Sequence, residues 1–344
     1  MNQSFLSKKT IIVVAIVVVV AIVVIDWTSV PTTRTVKDQP TLTMREPNFE
    51  YYGWFAVDYS NPTDDLKRMR NYTNTAFATT PQQAEILKQL GYPHIVYALA
   101  FTHQAILDQL ENEMRKPIPE LYGIKLYATG VPDYREKYLA LYRLKLEELK
   151  RSLQEIGVLE DIDLFYLADE PAVQLTVYPD QAFLDQLVVD FKKAFKDKKT
   201  TMVFAQYPEP RDPRAIWAGA HLNVPPTLDI VGVDPYFDIQ KVSCDTENIR
   251  KWLYSEAPAS NIDWAKQFNK PIIVIGDAQI RNEKALDSCY SQTTFDILKE
   301  DKNVVGLIWY QYDFSYKEDS DFGQLSGAAN VPEFVHFIEQ LGTR

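Results

Sequence analysis

The chain has 344 residues, of which 46% are hydrophobic and 24% charged, and this composition excludes a disordered polymer. Its formal net charge of −11 argues against nucleic acid or an anionic membrane surface as a binding partner. A length of this order fits one large α/β barrel as well as two smaller domains.

The N-terminal segment is predicted to be a membrane anchor. Residues 11–25 contain no polar residue, and Lys8 and Lys9 precede them, so this run is about the shortest helix that spans a bilayer. A signal-peptide core has the same length, but neither a small-x-small cleavage site nor a lipobox cysteine follows. This favours an uncleaved anchor over residues 1–27. The two lysines place the N-terminus in the cytoplasm and the remaining chain on the extracytoplasmic side of the membrane.

Residues 28–48 are polar and lack periodicity, so we expect a linker here and one folded domain over residues 49–344. The two cysteines, Cys244 and Cys289, could pair in an oxidising compartment or remain two unrelated buried thiols. Four scattered histidines add no close-spaced metal motif. The sequence therefore predicts neither a metal centre nor a cofactor.

Short apolar runs recur through this domain and predict eight strands. The runs are apolar on both faces, which is typical of a parallel sheet covered by helices. They are Tyr52–Val57, Thr73–Phe77, His94–Phe101, Leu164–Leu167, Thr200–Ala205, Leu228–Val233, Pro271–Ile275 and Val304–Trp309.

Helical patterns lie between these runs. The clearest is Tyr134–Ile156, an amphipathic stretch that ends at Gly157. The alternation predicts a (β/α)8 barrel; an open doubly wound sheet is the alternative, but no Gly-rich phosphate loop follows any strand. The segment Thr102–Tyr134 is longer than a normal connection, and we expect it to build one wall of a cleft. The other predicted helices are Pro81–Leu90, Ala182–Phe195, Asn261–Phe268, Thr293–Lys299 and Glu333–Leu341.

The clearest signal for function is Asp169-Glu170-Pro171, which follows the apolar run Leu164–Leu167. Pro171 has no N–H and disfavours helical geometry at Glu170, so the strand is predicted to stop there with two acids at its open end. Two like charges in a partly dry cleft cannot both ionise cheaply, so one pKa should rise toward neutrality, as a proton donor requires. The alternatives are a turn or a helix N-terminus, and strand alternation would turn Asp169 into the barrel wall.

Other strand ends carry acids, amides or aromatic side chains as well. In a barrel these ends meet at one mouth, where the active site forms. Each such residue also has a structural explanation, such as core packing for a tryptophan or a satisfied hydrogen bond for a histidine. Asp277 is a candidate catalytic residue, and the candidate substrate-binding residues are Trp54, Asp58, His103, Gln206, Tyr207, Asp234, Tyr236, Trp309, Tyr310 and Gln311.

This set of strand ends resembles the large clan of (β/α)8 glycoside hydrolases. Members place a general acid/base glutamate at the end of strand four, usually inside Asn-Glu-Pro, and Glu170 before Pro171 matches that position. The polar–aromatic pair that members carry on strand six is matched by Asp234 and Tyr236. The tryptophan on strand eight, a stacking platform for sugar rings in the clan, is matched by Trp309.

Two positions depart from the clan. Asp169 stands where members usually have Asn, and Asp277 stands where they have a nucleophilic Glu, which is one methylene longer. A shortened nucleophile would widen the gap to the acid/base enough to admit a water, or leave no nucleophile. An Asp-Glu pair on strand four also resembles hexosaminidase-type families. That resemblance implies that Asp169 steadies the substrate's own N-acetyl group as nucleophile, and that Asp277 is only a substrate contact.

The resulting hypothesis is a membrane-anchored extracytoplasmic glycoside hydrolase that acts on a poly- or oligosaccharide. The alternative is a carbohydrate-binding barrel that has lost catalysis and serves as an accessory protein in surface polysaccharide assembly, which the missing glutamate at strand seven supports. Another barrel hydrolase or a lyase is a third option.

Overall fold

The computed structural model describes residues 49–55, 63–121, 124–172, 174, 176–205, 222–235, 242–257, 261–278, 280–281, 284–285, 288–310, 325–326 and 332–343. The predicted anchor over residues 1–27 and the predicted linker over residues 28–48 lie outside these residues. Within the described part of the chain, no helix combines the length and the apolar character that crossing a bilayer requires.

Eight parallel strands close into a barrel, and their order around it follows the chain. The first and last strands pair in register, with Trp54 opposite Trp309. The predicted barrel and all eight predicted strands are confirmed. The strands are β1 Tyr51–Trp54, β2 Thr75–Ala78, β3 His94–Ala98, β4 Ile162–Asp169, β5 Lys199–Phe204, β6 Ile230–Val233, β7 Ile272–Asp277 and β8 Val304–Tyr310.

Helices cover the outside of the barrel. Capping residues mark where helices begin and end. The hydroxyl of Thr80 accepts a hydrogen bond from the N–H of Gln83, and the side chain of Gln83 accepts one from the N–H of Thr80. Gly157 ends the helix Tyr134–Ile156 with a left-handed backbone, at φ of 78°. The helices are α1 Thr63–Met69, α2 Pro81–Gln89, α3 Ala100–Met114, α4 Tyr127–Gly130, α5 Tyr134–Ile156, α6 Gln181–Ala194, α7 Thr246–Lys251, α8 Ile262–Lys266, α9 Ser288–Leu298 and α10 Pro332–Gly342.

Shorter elements complete the described chain. A 3₁₀ turn over Leu159–Asp161 precedes β4, and a π-helical turn over Trp252–Glu256 continues α7. The remaining short strands are the antiparallel pair Glu120–Leu121 and Ile124–Lys125, and a three-stranded sheet of Ile280–Arg281, Lys284–Ala285 and Leu325–Ser326.

The segment Thr102–Tyr134, expected to form one wall of a cleft, is largely helical. Helix α3 forms its first part, up to Met114, and packs against α5. Ile106, Leu107 and Leu110 of α3 are buried, and their spacing is typical of a helix. This segment therefore supplies the helix that normally follows the third strand of such a barrel.

Strand alternation divides the core into two layers. Outward-facing residues such as Tyr52, Phe165 and Leu307 pack against the helices. Inward-facing residues such as Leu164 and Ile308 fill the barrel itself. The interior is thus a packed core, and in this fold ligands bind at the C-terminal ends of the strands.

A disulfide joins Cys244 to Cys289, whose Cα atoms lie 6.2 Å apart. Cys244 precedes α7 and Cys289 lies in α9, so the bond connects the segments that follow β6 and β7. Beside it, the hydroxyl of Tyr290 donates to the carbonyl oxygen of Val242 at 2.6 Å. Of the two possibilities left open for these cysteines, the structure has the pair.

Candidate active site

The C-terminal ends of the strands form the mouth of the barrel. Asp234 directly follows β6, and because alternate residues of a strand face the same side, it points inward like Ile230. Asp277 ends β7 and points inward in the same way as Ile273 and Ile275. Both acids are nearly inaccessible, with 2% of Asp234 and 4% of Asp277 exposed. Strand phase alone therefore brings two predicted site residues to the same opening.

Asp169 reaches the mouth because of a β-bulge in β4. Tyr166 pairs with Thr201 and Ala168 with Met202, so Leu167 is an extra residue that resets the alternation. Asp169 consequently lies on the same face as Tyr166, whose hydroxyl donates to Oδ1 of Asp169. The sequence-based concern that Asp169 would turn into the barrel wall assumed a regular strand.

Glu170 turns the chain at the end of β4. Its φ of 43° lies in the left-handed region, which a residue with a side chain adopts only under constraint. Its N–H donates to the carbonyl oxygen of Val203 on β5 at 2.9 Å, and the buried Pro171 follows. In this conformation the carboxyl group of Glu170 lies close enough to that of Asp234 to raise the pKa of the aspartate through charge and hydrogen bonding. We call Asp169, Glu170 and Asp234 the carboxyl cluster.

Burial and mutual repulsion shift the pKa values in the carboxyl cluster. Desolvation, followed by the charge of Glu170, raises the pKa of Asp169 to about 7, against a smaller opposing effect of the Tyr166 hydroxyl. Desolvation raises the pKa of Asp234 well above its usual range, and the charge and hydrogen bond of Glu170 add to this. The cluster therefore retains protons at a pH at which solvated carboxyl groups have lost them.

One oxygen of the cluster has no hydrogen bond. Oδ1 of Asp234 is buried and has no partner in the structure. A buried polar atom left in this state is costly unless a ligand or water satisfies it. Asp234 is thus prepared to accept a hydrogen bond from a bound molecule.

Aromatic side chains line the other part of the mouth. The ring of Phe55, just after β1, lies 4.9 Å from that of Phe77, and 5.9 Å from those of Tyr166 and Tyr310. Phe55, Phe77 and Tyr310 are half-buried, so their rings retain exposed surface. We call Phe55, Phe77, Tyr166 and Tyr310 the aromatic wall. Tyr166 belongs to it and also holds Asp169, so the wall adjoins the carboxyl cluster.

The two predicted tryptophan platforms lie elsewhere. Trp54 and Trp309 are 1% and 0% exposed and face the helices. Nε1 of Trp309 donates to the hydroxyl of Tyr52 at 3.0 Å, and its ring covers Gly276, where an added Cβ would come within 2.8 Å of ring atoms. A fully buried ring offers no face to a sugar. Phe55 and Tyr310, the next residues along, occupy the inward positions instead.

The arrangement has counterparts among solved structures. The β-D-glucuronidase of Dictyoglomus thermophilum matches with a TM-score of 0.54 and 13% identity over 88% of this chain, which spans 51% of the glucuronidase chain. A psychrophilic glycoside hydrolase family 10 endo-β-1,4-xylanase matches with a TM-score of 0.50 and 12% identity, over 85% of this chain and 97% of the xylanase. The chain matches no protein-family model and no curated protein.

The chain has the fold of the (β/α)8 glycoside hydrolases. The resemblance inferred from the strand ends is therefore confirmed for the fold. On this barrel, Glu170 and Asp277 stand at the ends of the fourth and seventh strands, where the resemblance implies an acid/base and a nucleophile. Asp234 stands at the end of the sixth strand, in contact with Glu170.

His103 lies behind β4 and away from the mouth. It is on α3, is 8% exposed, and its ring stacks on that of Tyr142 with centroids 5.6 Å apart. Nε2 donates to the carbonyl oxygen of Leu167 at 2.6 Å. Burial lowers the pKa of His103 to about 4, so the ring is neutral at physiological pH. In this position the ring of His103 contacts buried groups of the protein.

Five predicted substrate-binding residues lie outside the described residues, namely Asp58, Gln206, Tyr207, Tyr236 and Gln311. Sequence reasoning missed three residues of the mouth, Phe55, Phe77 and Tyr166. They lie at inward-facing positions of their strands, which strands that are apolar on both faces do not reveal in the sequence. Among the residues that the structure describes, no group of three or more His, Cys, Asp and Glu side chains is arranged to hold a metal ion.

Proposed function

We propose that this protein is a glycoside hydrolase that cleaves a poly- or oligosaccharide, with Glu170 as the general acid/base. The observation that carries the proposal is the carboxyl cluster at the mouth, in which desolvation and the charge of Glu170 raise the pKa of both Asp169 and Asp234. The pKa of Asp169 is raised to about 7. The cluster thus keeps a proton near neutral pH, where solvated carboxyl groups have lost theirs.

The chemistry follows from this proton. Glu170 donates it to the glycosidic oxygen while the bond between that oxygen and the anomeric carbon breaks. The carboxylate of Glu170 then accepts a proton from the water that completes hydrolysis. Asp234, buried beside Glu170, stabilises the protonated pair before bond cleavage, and its unpartnered Oδ1 accepts a hydrogen bond from the sugar.

The nucleophile has two candidates. Asp277 is buried at the end of β7, but its side chain is one methylene shorter than the glutamate that (β/α)8 glycoside hydrolases usually carry there. The alternative is the N-acetyl group of the substrate, which Asp169 would hold in place. Tyr166 supports the second candidate because it fixes Asp169 at the mouth beside Glu170.

The proposal is tested with the full-length protein on panels of N-acetylated and non-acetylated glycans, with a Glu170→Gln variant beside it. Turnover by the wild type that is lost in the variant supports Glu170 as the acid/base. Cleavage confined to N-acetylated glycans identifies the substrate amide as nucleophile, whereas cleavage of non-acetylated glycans assigns the second role to Asp277, either as nucleophile or as the base that activates a water. Equal turnover by both proteins rules out Glu170.

A carbohydrate-binding barrel without catalysis is the second candidate, and the short Asp277 favours it. Such a protein would bind glycans through the aromatic wall and act as an accessory protein in surface polysaccharide assembly. Calorimetric titration with oligosaccharides separates the two functions. Equal affinity of wild type and Glu170→Gln, with no turnover by either, supports the binding protein.

We further propose that residues 1–27 anchor the protein in a membrane with the barrel on the extracytoplasmic side. The apolar run over residues 11–25 supports this proposal, and so does the disulfide, because such bonds persist in oxidising compartments. Cell fractionation and protease treatment of intact cells test it. Recovery in the soluble cytoplasmic fraction with reduced cysteines would contradict it.

A further inference from the structure

A buried chain of hydrogen bonds runs from α5 to the strand that carries the acids. The hydroxyl of Tyr138 donates to Nδ1 of His103, and Nε2 of His103 donates to the carbonyl oxygen of Leu167 at 2.6 Å. A carbonyl oxygen only accepts, so the neutral imidazole carries its proton on Nε2, and Nδ1 must accept from Tyr138. The tyrosine therefore selects the tautomer that can bind Leu167.

The carbonyl that His103 holds belongs to the bulge itself. Leu167 is the extra residue of β4, and Asp169 and Glu170 follow it after Ala168. A second side chain grips the same turn from the other side, because Nε2 of Gln174 donates to the carbonyl oxygen of Asp169 at 2.8 Å. The Leu167–Ala168 and Asp169–Glu170 peptide units are thus fixed by groups that do not belong to the barrel strands.

We propose that His103, oriented by Tyr138, is a positioning residue that fixes the bulge at Leu167 and so directs the carboxyl groups of Asp169 and Glu170 into the mouth. Where the proposal concerns catalysis, it rests on the proposed glycosidase function. Where it concerns the placement of the carboxyl groups, it can be measured without a substrate. A one-residue bulge changes which face a following side chain occupies, so a small change at Leu167 has a large effect at Asp169.

The chain offers a matched pair of variants on α5. Tyr138→Phe removes the hydroxyl that orients His103. Tyr142→Phe removes the hydroxyl of a ring that also stacks near His103, but that hydroxyl is buried without a hydrogen-bond partner. Both changes delete one oxygen from a fully buried ring. A difference between them therefore reports the hydrogen bond and not the packing.

Two substitutions of His103 complete the set. His103→Phe keeps a flat ring between the tyrosines and removes both hydrogen bonds. His103→Gln keeps an N–H donor at about the reach of Nε2, so it can restore the bond to Leu167. Recovery by the glutamine variant distinguishes positioning from packing, because glutamine packs less well than phenylalanine among aromatic rings.

The experiment that needs no substrate is an NMR titration of the full-length protein with ¹³C-labelled aspartate carboxyl groups, in which the Asp169→Asn variant assigns the Asp169 signal. Wild type and Tyr142→Phe are expected to titrate alike. In His103→Phe the midpoint of Asp169 should move by about one pH unit or more, since its distance from Glu170 changes, and His103→Gln should reverse most of the change. An unchanged midpoint in folded His103→Phe overturns the proposal.

Enzyme kinetics provide the second readout. His103→Phe is expected to lower kcat about 100-fold, with KM within about threefold, and to move the pH limbs of kcat. A variant that loses thermal stability but keeps the wild-type kcat and pH profile makes His103 a packing residue only. If the wild type cleaves no glycan, the proposed function fails, while the NMR titration still tests the positioning role.

Discussion

The carboxyl group of Glu170 lies beside that of Asp234 and raises its pKa, although the two residues follow β4 and β6, which β5 separates. The left-handed backbone of Glu170, held by its N–H on the carbonyl of Val203, directs the glutamate across β5. The strained turn at the end of β4 is therefore what assembles an acid from two residues that are distant in sequence.

Glu170→Gln is expected to abolish most turnover. Glutamine keeps the size and hydrogen-bonding capacity of the side chain but has no acidic proton, so kcat should fall about 10²- to 10⁴-fold with a small change in KM. Steady-state kinetics on a cleaved glycan measure this. Glu160→Gln is the matched control, because that side chain is 89% exposed just before β4, at the opposite end of the barrel, and it should keep wild-type activity.

The carboxyl cluster should destabilise the fold at high pH. The pKa of Asp169 is raised to about 7, so between about pH 4 and pH 7 the native state holds a proton that the unfolded chain has released. The free energy of unfolding therefore falls as pH rises through this window. Asp169→Asn cannot ionise, and near pH 8 we expect it to exceed the wild type by at least about 1 kcal/mol.

Denaturant unfolding at several pH values tests this expectation. The advantage of Asp169→Asn should shrink as pH falls and disappear below about pH 3, where the wild-type carboxyl is protonated in both states. Parallel curves for the two proteins across the whole range would show that Asp169 has an ordinary pKa in the folded protein.

Mutation of the aromatic wall should weaken oligosaccharide binding, whereas mutation of a buried tryptophan should lower the free energy of unfolding. Phe55→Leu keeps apolar volume at the mouth but removes a flat face, so the Kd for an oligosaccharide should rise about fivefold to tenfold. Trp309→Phe loses the hydrogen bond to Tyr52 and buried volume, which should cost about 2–4 kcal/mol of unfolding free energy and leave Kd unchanged. Calorimetry and thermal melts compare the two. A large loss of affinity in folded Trp309→Phe would restore the platform role predicted from the sequence.

Reduction of the disulfide should lower stability. The bond closes a segment of 45 residues, for which loop-closure entropy gives about 4 kcal/mol. Thermal unfolding with and without dithiothreitol is the measurement, and a double Cys244→Ser, Cys289→Ser variant is the control. The variant should melt near the temperature of the reduced wild type and be insensitive to the reductant. A wild-type melt that reductant leaves unchanged contradicts the expectation.

The barrel was predictable because its eight apolar runs and intervening helices recur along the chain. Which residues of each strand point inward could not be predicted, because a strand that is apolar on both faces does not distinguish the two sides. Trp54 and Trp309 were selected for their residue type, whereas their neighbours Phe55 and Tyr310 hold the inward positions. Large aromatic residues suit the helix-covered face as well as the mouth, so residue type alone could not separate them.

The carboxyl cluster was predictable in composition but not in geometry. Asp169, Glu170 and Asp234 were all identified from their places at strand ends. The bulge at Leu167 leaves no mark in the sequence, because any residue can be the extra one and tertiary contacts select it. The role of His103 was missed for a related reason, since its partner is a backbone carbonyl of a strand far along the chain.

The described chain enters the barrel at Phe49, immediately before β1, and strands of a parallel barrel all start on the same face. That face is the one opposite the carboxyl cluster and the aromatic wall. Whatever precedes Phe49 is therefore attached at the rear of the domain. Attachment at that face leaves the opening unobstructed, so a molecule can approach the acids without passing the point of attachment.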